Sequence, residues 1–439
     1  MKTEAAMPET PGTVEQGAWL KALDLEERGR IQGDTAAGDV ERARRRLARW
    51  KAQEPFAGNG LFVQRLSRMG LQEEDLLALL AEPEEALAAR MDEPDWLPIL
   101  QEVFSRPATE RFPLPAETEE DRRLGFLHLV LPLMDAGWTR LLAGVRTLAA
   151  NYPDAPFDPE TAAGFLAPLL RYRLLLPVNR AMVVELRLAG EEGRLAGQDP
   201  EERFDAFVQE LRDPATALET LGLYPVLARY AVEAVESWLE VSREFLTHLV
   251  EDREALRALF APDAGLGRLV ELDGGLGDSH RGGRSVLKAV FDSGLTLVYK
   301  LRSIAVEGVF QSLLGWTEAR GFSPGFRRLN LLERGNHGWV EFVAAAPCAS
   351  TDEVRRFYER QGGYLALLYL LGATDMHYEN LIAAGEHPVM VDLEALFHPG
   401  GRRWGSPPGR SRSAGRFRTP SSASACSPGG SGGTPKLPE

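Results

Sequence analysis

The sequence predicts an α+β fold, in which a mainly helical N-terminal region precedes a smaller core of antiparallel strands and helices. Apolar residues recur at helical spacing through residues 19–264, and no convincing strand alternation occurs before about residue 266. Short segments rich in β-branched and aromatic residues follow, separated by glycine-containing turns. With 439 residues, the chain is long enough for two or three domains with full cores.

The predicted helical region follows a polar leader, residues 1–18, that we expect to be disordered. Asp39 can cap a helix whose apolar residues fall on one face. Farther along, Asp158 followed by Pro159 is a helix-start signal with proline at the first helical position. The apolar stripes of these helices are most simply explained as core.

The overall charge and the placement of charged residues argue against two classes of partner. A formal net charge of −14 is unfavourable for a general nucleic-acid binder or a polybasic membrane binder. Residues 124–150 form the most apolar long stretch, but Asp135, Arg140 and Arg146 interrupt it. Because such charges are costly in lipid, we predict a buried amphipathic segment and no stable membrane insertion.

Cysteine usage and the first residues indicate a cytoplasmic protein. The two cysteines, Cys348 and Cys426, cannot build a disulfide framework or a cysteine-rich zinc site. Residues 1–16 lack the apolar segment of a signal peptide. A reducing compartment is therefore expected.

The predicted β-containing core opens with a three-stranded meander and continues with a helix, two short strands and a long second helix. Ser350 can cap the second helix, and Glu353 three residues later would complete a capping box. The predicted strands are 268–272, 285–291, 295–300, 326–331 and 339–342, and the helices are 304–320 and 351–372.

An aspartate, an asparagine and a second aspartate form the strongest chemical pattern in the sequence. Asp375 and Asn380 are five residues apart, the spacing between the catalytic Asp and the metal-binding Asn of the kinase catalytic loop. Asp392 ends a short β-branched run and would be the principal Mg²⁺ ligand, with Glu394 a possible second carboxylate. His377 could order the loop or neutralise phosphate charge. Phosphoryl transfer needs this combination of a proton acceptor and oxygen ligands for Mg²⁺.

Two further features would complete a nucleotide site. Residues 274–283 form a glycine-rich loop, and Gly277 and Gly282 would let backbone N–H groups approach phosphate oxygens closely. Lys300 ends the strand after the following hairpin, which is where a kinase places its phosphate-binding lysine. Glu307 and Glu318, both in helix 304–320, are equally good candidates to orient this lysine.

A zinc site is not expected. No two histidines have the helical i, i+4 spacing of a metallohydrolase, and no cysteine pattern assists them.

Six longer motifs occur in order along the second half of the chain. They are Gly-Asp-Ser-His-Arg-Gly-Gly-Arg at 277–284, Leu-Val-Tyr-Lys-Leu-Arg-Ser at 297–303, Gly-Trp-Val-Glu-Phe at 338–342, Phe-Tyr-Glu-Arg at 357–360, Ala-Thr-Asp-Met-His-Tyr-Glu-Asn at 373–380 and Val-Asp-Leu-Glu at 391–394. Together they resemble the dehydratase domain of class II lanthipeptide (lantibiotic) synthetases. The resemblance runs from the N-terminal helices to about residue 399 and is sharpest over residues 277–399.

The resemblance implies a lipid-kinase-like antiparallel sheet core, here with an incomplete C-terminal lobe. Such enzymes use ATP and Mg²⁺ to phosphorylate Ser and Thr of a precursor peptide, which consists of a leader and a core. They then eliminate phosphate to give dehydroamino acids. Asp278 and His280 match loop residues that assist phosphate handling and elimination. The residues that match the phosphorylation set are Lys300, Asp375, His377, Asn380 and Asp392.

Two departures from the family pattern stand out. Leu301 replaces the proline usual after the motif lysine. Residues 400–439 are rich in Gly, Pro, Ser and Arg and carry no apolar periodicity, so we expect them to be disordered. This abrupt change predicts a truncated fragment that lacks the elimination residues and the zinc cyclase, with an out-of-frame reading as one explanation of the tail.

Two other functions fit the same residues. One is a free-standing kinase-like phosphotransferase acting on a small molecule or a lipid. The other is a non-catalytic module that binds only the leader peptide through its helical half.

Overall fold

The computed structural model describes residues 19–30, 38–58, 60–90, 93–115, 122–274 and 284–396. It confirms the α+β class, with helices in the N-terminal region and small antiparallel sheets nearer the C-terminus. The chain divides into two compact units. The first contains Met1–Asp154 and Pro159–Thr247, and the second contains Ala155–Asp158 and His248–Glu439.

The described part of the first unit is helical, apart from its loops. Short 3-10 helices occur at Leu20–Ala22 and Arg122–Val130. The α-helices are α1 Leu25–Arg30, α2 Val40–Lys51, α3 Leu61–Arg68, α4 Glu73–Ala81, α5 Glu84–Arg90, α6 Trp96–Ser105, α7 Leu131–Asn151, α8 Pro159–Glu191, α9 Pro200–Leu211, α10 Pro214–Leu223 and α11 Pro225–Glu251, the last of which continues into the second unit.

Local signals in the sequence explain where several of these helices begin. The Asp39 carboxylate accepts a hydrogen bond from the Arg42 N–H at 2.8 Å, so it caps α2 as predicted. Helix α8 begins at Pro159, also as predicted. Asp199 and Asp213 cap α9 and α10 in the same way, each followed by a proline at the first helical position.

The most apolar stretch is buried in the first unit, as the sequence predicted. Within this stretch Asp135 is 1% exposed. Its carboxylate accepts hydrogen bonds from the Arg111 side chain at 2.6 Å and from the Phe112 N–H at 2.8 Å. A buried charge needs such partners because desolvation is otherwise costly. Within the described residues, no helix is long and apolar enough to cross a membrane.

The second unit contains two antiparallel sheets and further helices. The five-stranded sheet has the order β1-β2-β3-β5-β4, and β6 pairs with β7 in a separate hairpin. The strands are β1 Leu269–Asp273, β2 Leu287–Phe291, β3 Thr296–Lys300, β4 Leu331–Glu333, β5 Gly338–Glu341, β6 Leu381–Ala384 and β7 His387–Met390; the helices are α12 Arg253–Phe260, α13 Ala305–Glu318, α14 Thr351–Leu370 and a 3-10 turn Tyr378–Asn380.

A buried carboxylate supports the central strands. Asp252, directly before α12, accepts hydrogen bonds from Trp339 Nε1 at 2.8 Å and from His337 at 2.7 Å, and it forms an ion pair with Arg334 at 2.7 Å. Trp339 lies opposite Tyr299 in the register of β3 and β5, and both rings are fully buried. These contacts fix the sheet at the strand that carries Lys300.

Two local predictions for this unit were wrong in detail. The strand predicted at 326–331 begins only at Leu331, because the Phe326 ring packs against Phe322 and Tyr364 in the core. Ser350 does cap α14, but the Glu353 carboxylate accepts from the Ala349 N–H rather than from Ser350. The capping box is therefore displaced by one residue.

Adjacent glycines on α14 give a matched test of this packing. A side chain at Gly363 would place its Cβ 2.4 Å from Phe322 Cζ, whereas a Cβ at Gly362 meets nothing within 4 Å. We predict that Gly363→Ala destabilises the second unit by about 1–3 kcal/mol through overpacking. Gly362→Ala should instead stabilise it by about 0.5–1 kcal/mol, since alanine favours helix. Denaturant titration measures both, and equal effects of the two substitutions would contradict the packing described.

Candidate active site

The candidate site is organised around Lys300, a buried lysine at the end of β3. Its Nζ lies 3.3 Å from Oε1 of Glu307 in the first turn of α13, and both side chains are 7% exposed. Burial lowers the pKa of Lys300 from its ordinary value, and the nearby Glu307 carboxylate opposes that shift. Glu318, the other candidate partner, lies at the far end of α13 and pairs with Arg328 at 3.9 Å. The structure therefore selects Glu307.

A second contact connects Lys300 to the motif that ends in Asp392. Lys300 Nζ donates a hydrogen bond to the carbonyl oxygen of Val391 at 2.8 Å. This contact bridges 91 positions along the chain. The residue next in sequence, Asp392, is thereby held near the lysine.

The β6–β7 hairpin brings Asn380 and Asp392 to the same end of the small sheet. Leu381 pairs with Met390, and beyond that pair the Val391 N–H donates to the Asn380 carbonyl at 3.1 Å. Asn380 therefore lies opposite Val391, and Asp392 is the next residue along the chain. The 12-residue separation seen in the sequence is thus closed by the hairpin.

The loop before this hairpin has an unusual backbone at Asp375. With φ of 57°, Asp375 is the one non-glycine residue with positive φ in the described parts of the chain. Such conformations cost free energy and cluster at functional sites. The Asn380 side chain donates from Nδ2 to the Asp375 carbonyl at 2.9 Å, which closes the loop between the two motif residues.

Asp375 and His377 face outwards from this loop. The Asp375 side chain is 78% exposed, and its Oδ1 lies 3.9 Å from His377 Nε2. His377 Nδ1 lies 3.7 Å from the Glu379 carboxylate. The exposed carboxylate can therefore reach a substrate, with an imidazole beside it.

Sequence reasoning did not identify Arg302, which connects three carboxylates of the site. Its guanidinium lies 2.6 Å from Glu394 Oε1, 2.9 Å from Glu307 Oε1 and 3.5 Å from Asp392 Oδ1. Arg302 follows the end of β3, and its place in the motif at 297–303 was the available signal. Glu394, predicted as a second metal ligand, is here paired with a cation.

Four predicted residues of the glycine-rich loop, namely Gly277, Asp278, His280 and Gly282, lie outside the described residues. The strands on either side of that loop are described. β1 and β2 pair antiparallel, with Asp273 opposite Lys288. The meander predicted around the loop is therefore confirmed.

The hairpin is attached to α14 through its turn. The Glu386 carboxylate pairs with Arg356 and with Arg360, the latter at 2.8 Å. Arg360 is buried and also donates to the carbonyl of Gly325. Hydrogen bonds from the two arginines lower the pKa of Glu386 to about 2.

Oxygen atoms dominate the ligands that this site could offer to a metal. Asn380 and Asp392 supply an amide oxygen and a carboxylate, the donor types that Mg²⁺ prefers. Oε2 of Glu307 is buried and has no hydrogen-bond partner among the described residues, so it is an acceptor that an additional donor or cation would satisfy. No group of three or more His, Cys, Asp or Glu side chains in the described ranges is arranged to hold a metal by itself.

The fold and the site define an α+β protein with a buried Lys–Glu pair next to an Asp/Asn loop and an Asp-x-Glu segment. Residues 224–426 match a family described as "Domain of unknown function (DUF4135)". A 231-residue stretch is 27% identical to the lacticin 481/lactococcin biosynthesis protein LcnDR2 of Lactococcus lactis subsp. lactis, covering 50% of this chain and 24% of that protein. The chain is related to the lanthipeptide synthetases, as its motifs predicted. It spans about a quarter of the length of this relative.

The Glu386 contacts predict a pH-dependent contribution to stability. Because the folded-state pKa is about 2, below the ordinary value of 4.5, the stabilisation is fully present above pH 4.5 and is lost as the pH falls towards 2. We expect Glu386→Gln to lower the melting temperature at pH 7 and to have progressively less effect below pH 4.5.

Thermal unfolding from pH 2 to pH 8 measures this difference. Glu359→Gln is the control, since Glu359 forms an exposed pair with Arg355 on the same helix. A Glu386→Gln effect that stays constant over this pH range would contradict the assigned contacts.

Proposed function

We propose that the chain uses ATP and Mg²⁺ to phosphorylate Ser and Thr side chains of a precursor peptide, the step that precedes phosphate elimination in lanthipeptide dehydration. The observation that carries this proposal is the buried Lys300–Glu307 pair with its hydrogen bond to the residue before Asp392. In protein kinases, a strand lysine paired with a helix glutamate and an aspartate that binds Mg²⁺ must be in place together. The relation to a lacticin 481/lactococcin biosynthesis protein supports a peptide as the substrate.

The residues present fit this cofactor pair. Lys300 would hold the nucleotide phosphates, and Asn380 and Asp392 would hold Mg²⁺ through oxygen atoms. When bound, ATP supplies the phosphoryl group and Mg²⁺ neutralises its charge. Burial lowers the pKa of Lys300, and the carboxylate of Glu307 acts in the opposite direction, so the pair favours the charged lysine that would hold phosphate.

The residues of the exposed loop would act on the peptide. The Asp375 carboxylate would orient the Ser or Thr hydroxyl and accept its proton, because it lies exposed at the start of the loop. His377, beside Asp375, would neutralise the negative charge of phosphate. The Asn380 contact to the Asp375 carbonyl would hold the proton acceptor and the metal ligand in a fixed relation.

The proposed reaction takes place in the cytoplasm. ATP is available there, and the two cysteines are compatible with a reducing compartment. The resemblance assigns Asp278 and His280 to phosphate handling and elimination, and both lie outside the described residues.

The two glutamates of α13 provide a matched test. We expect Glu307→Gln to reduce phosphate incorporation about 10²–10³-fold, since it removes the charge that holds Lys300. Asp375→Asn should reduce it about 10²–10⁴-fold through loss of the proton acceptor. Glu318→Gln, on the same helix but paired with Arg328, should stay within about twofold.

The assay follows labelled phosphate from ATP into a Ser/Thr-rich precursor peptide, with small alcohols and lipids offered in parallel. Incorporation into an alcohol or a lipid but not into the peptide would favour a small-molecule or lipid phosphotransferase. Peptide binding without any phosphate transfer, unchanged by Asp375→Asn, would favour a non-catalytic leader-peptide module.

A further inference from the structure

Arg302 is a charged residue of the site to which the proposed function gives no role. Its side chain is 29% exposed and lies within ion-pair distance of carboxylates from α13 and from the Asp-x-Glu segment. Glu307 Oε1 is shared between Arg302 and Lys300, so the two cations and Glu307 form one connected group.

The three contacts of Arg302 differ in strength. The contacts to Glu394 and Glu307, at 2.6 and 2.9 Å, are close ion pairs. The contact to Asp392 Oδ1, at 3.5 Å, is at the limit for a hydrogen bond. The guanidinium therefore lies closer to the two glutamates than to Asp392, and its Coulomb attraction to them is stronger.

The different distances to Arg302 indicate different roles for Asp392 and Glu394, the two carboxylates of the Asp-x-Glu segment. A metal bound by Glu394 would have to compete with a short contact to a guanidinium. The Asp392 side chain, in contrast, is 45% exposed, and the contacts from Arg302 and from the Glu394 N–H both go to its Oδ1. Its Oδ1 accepts from the Glu394 N–H at 3.3 Å, which couples the orientation of Asp392 to the position of Glu394.

The charge balance also accommodates a divalent cation. Lys300 and Arg302 face the carboxylates of Glu307, Asp392 and Glu394, so the group carries one net negative charge. A divalent cation at Asp392 would be attracted to that charge while Arg302 stays with Glu394.

We infer that Arg302 is a positioning residue that uses Glu394 and Glu307 as anchors and thereby presents Asp392 as the carboxylate ligand of the metal. Glu394 acts through Arg302 and does not bind the metal. The inference rests on the proposed function, because the metal belongs to it.

Manganese binding without nucleotide tests this inference with a readout other than activity. Free Mn²⁺ is followed by electron paramagnetic resonance during titration of the wild type and of Arg302→Gln, Arg302→Lys, Glu394→Gln, Asp392→Asn and the double variant Arg302→Gln/Glu394→Gln. Thermal unfolding of each variant verifies that it folds. Arg302→Lys keeps the charge but not the planar fork, so it isolates geometry from electrostatics.

We expect Arg302→Gln, Arg302→Lys and Glu394→Gln each to weaken Mn²⁺ binding about tenfold, as loss of an outer-shell partner does. Removal of a cation should by electrostatics alone strengthen metal binding, so the sign of the Arg302→Gln effect is decisive. The double variant should be no weaker than the poorer single variant, and Asp392→Asn should be weakest of all.

Tighter or unchanged Mn²⁺ binding by Arg302→Gln would overturn the inference. So would a Glu394→Gln loss as large as that of Asp392→Asn, or multiplying losses in the double variant, since either makes Glu394 a direct ligand. If the wild type binds Mn²⁺ and the variants give these results, the inference alone is refuted. If the wild type binds no Mn²⁺, both the metal role in the proposed function and the inference are refuted.

Discussion

The site depends on the burial of Lys300. A buried ammonium must be paired, because desolvation of an isolated charge costs several kcal/mol. The two partners that satisfy Lys300 come from distant parts of the chain, the carboxylate of Glu307 on α13 and the carbonyl of Val391 after β7. Meeting this requirement therefore holds the end of the five-stranded sheet, the helix and the hairpin segment together.

The contacts around this lysine form a continuous path to the exposed loop. The hairpin register places Asn380 beside Val391, and the Asn380 amide in turn closes the loop at Asp375. The Glu386 contacts to α14 hold the other end of the same hairpin. A small two-stranded sheet, which would be marginal alone, is thus fixed at both ends. The strained backbone of Asp375 is maintained by this surrounding structure.

Much of this arrangement could be predicted from sequence because it depends on local patterns. Strand alternation and turn residues predicted the meander and the position of Lys300 at the end of β3. The short β-branched run that ends at Asp392 corresponds to β7, which ends two residues before it. The Asp39 cap and the start of α8 at Pro159 also followed from single residues.

The remaining features depend on contacts between distant residues. Glu307 and Glu318 were equivalent on sequence, and only the packing of α13 decides that Glu307 reaches Lys300. Arg302 was missed because its role comes from three carboxylates that folding brings together. The strand predicted at 326–331 was displaced because Phe326 packs in the core instead.

The most direct test of the central claim is calorimetric titration of a non-hydrolysable ATP analogue with Mg²⁺ into the wild type and Lys300→Met. The account predicts measurable binding by the wild type that is weakened at least about tenfold in the variant, and equal binding by both proteins would contradict it.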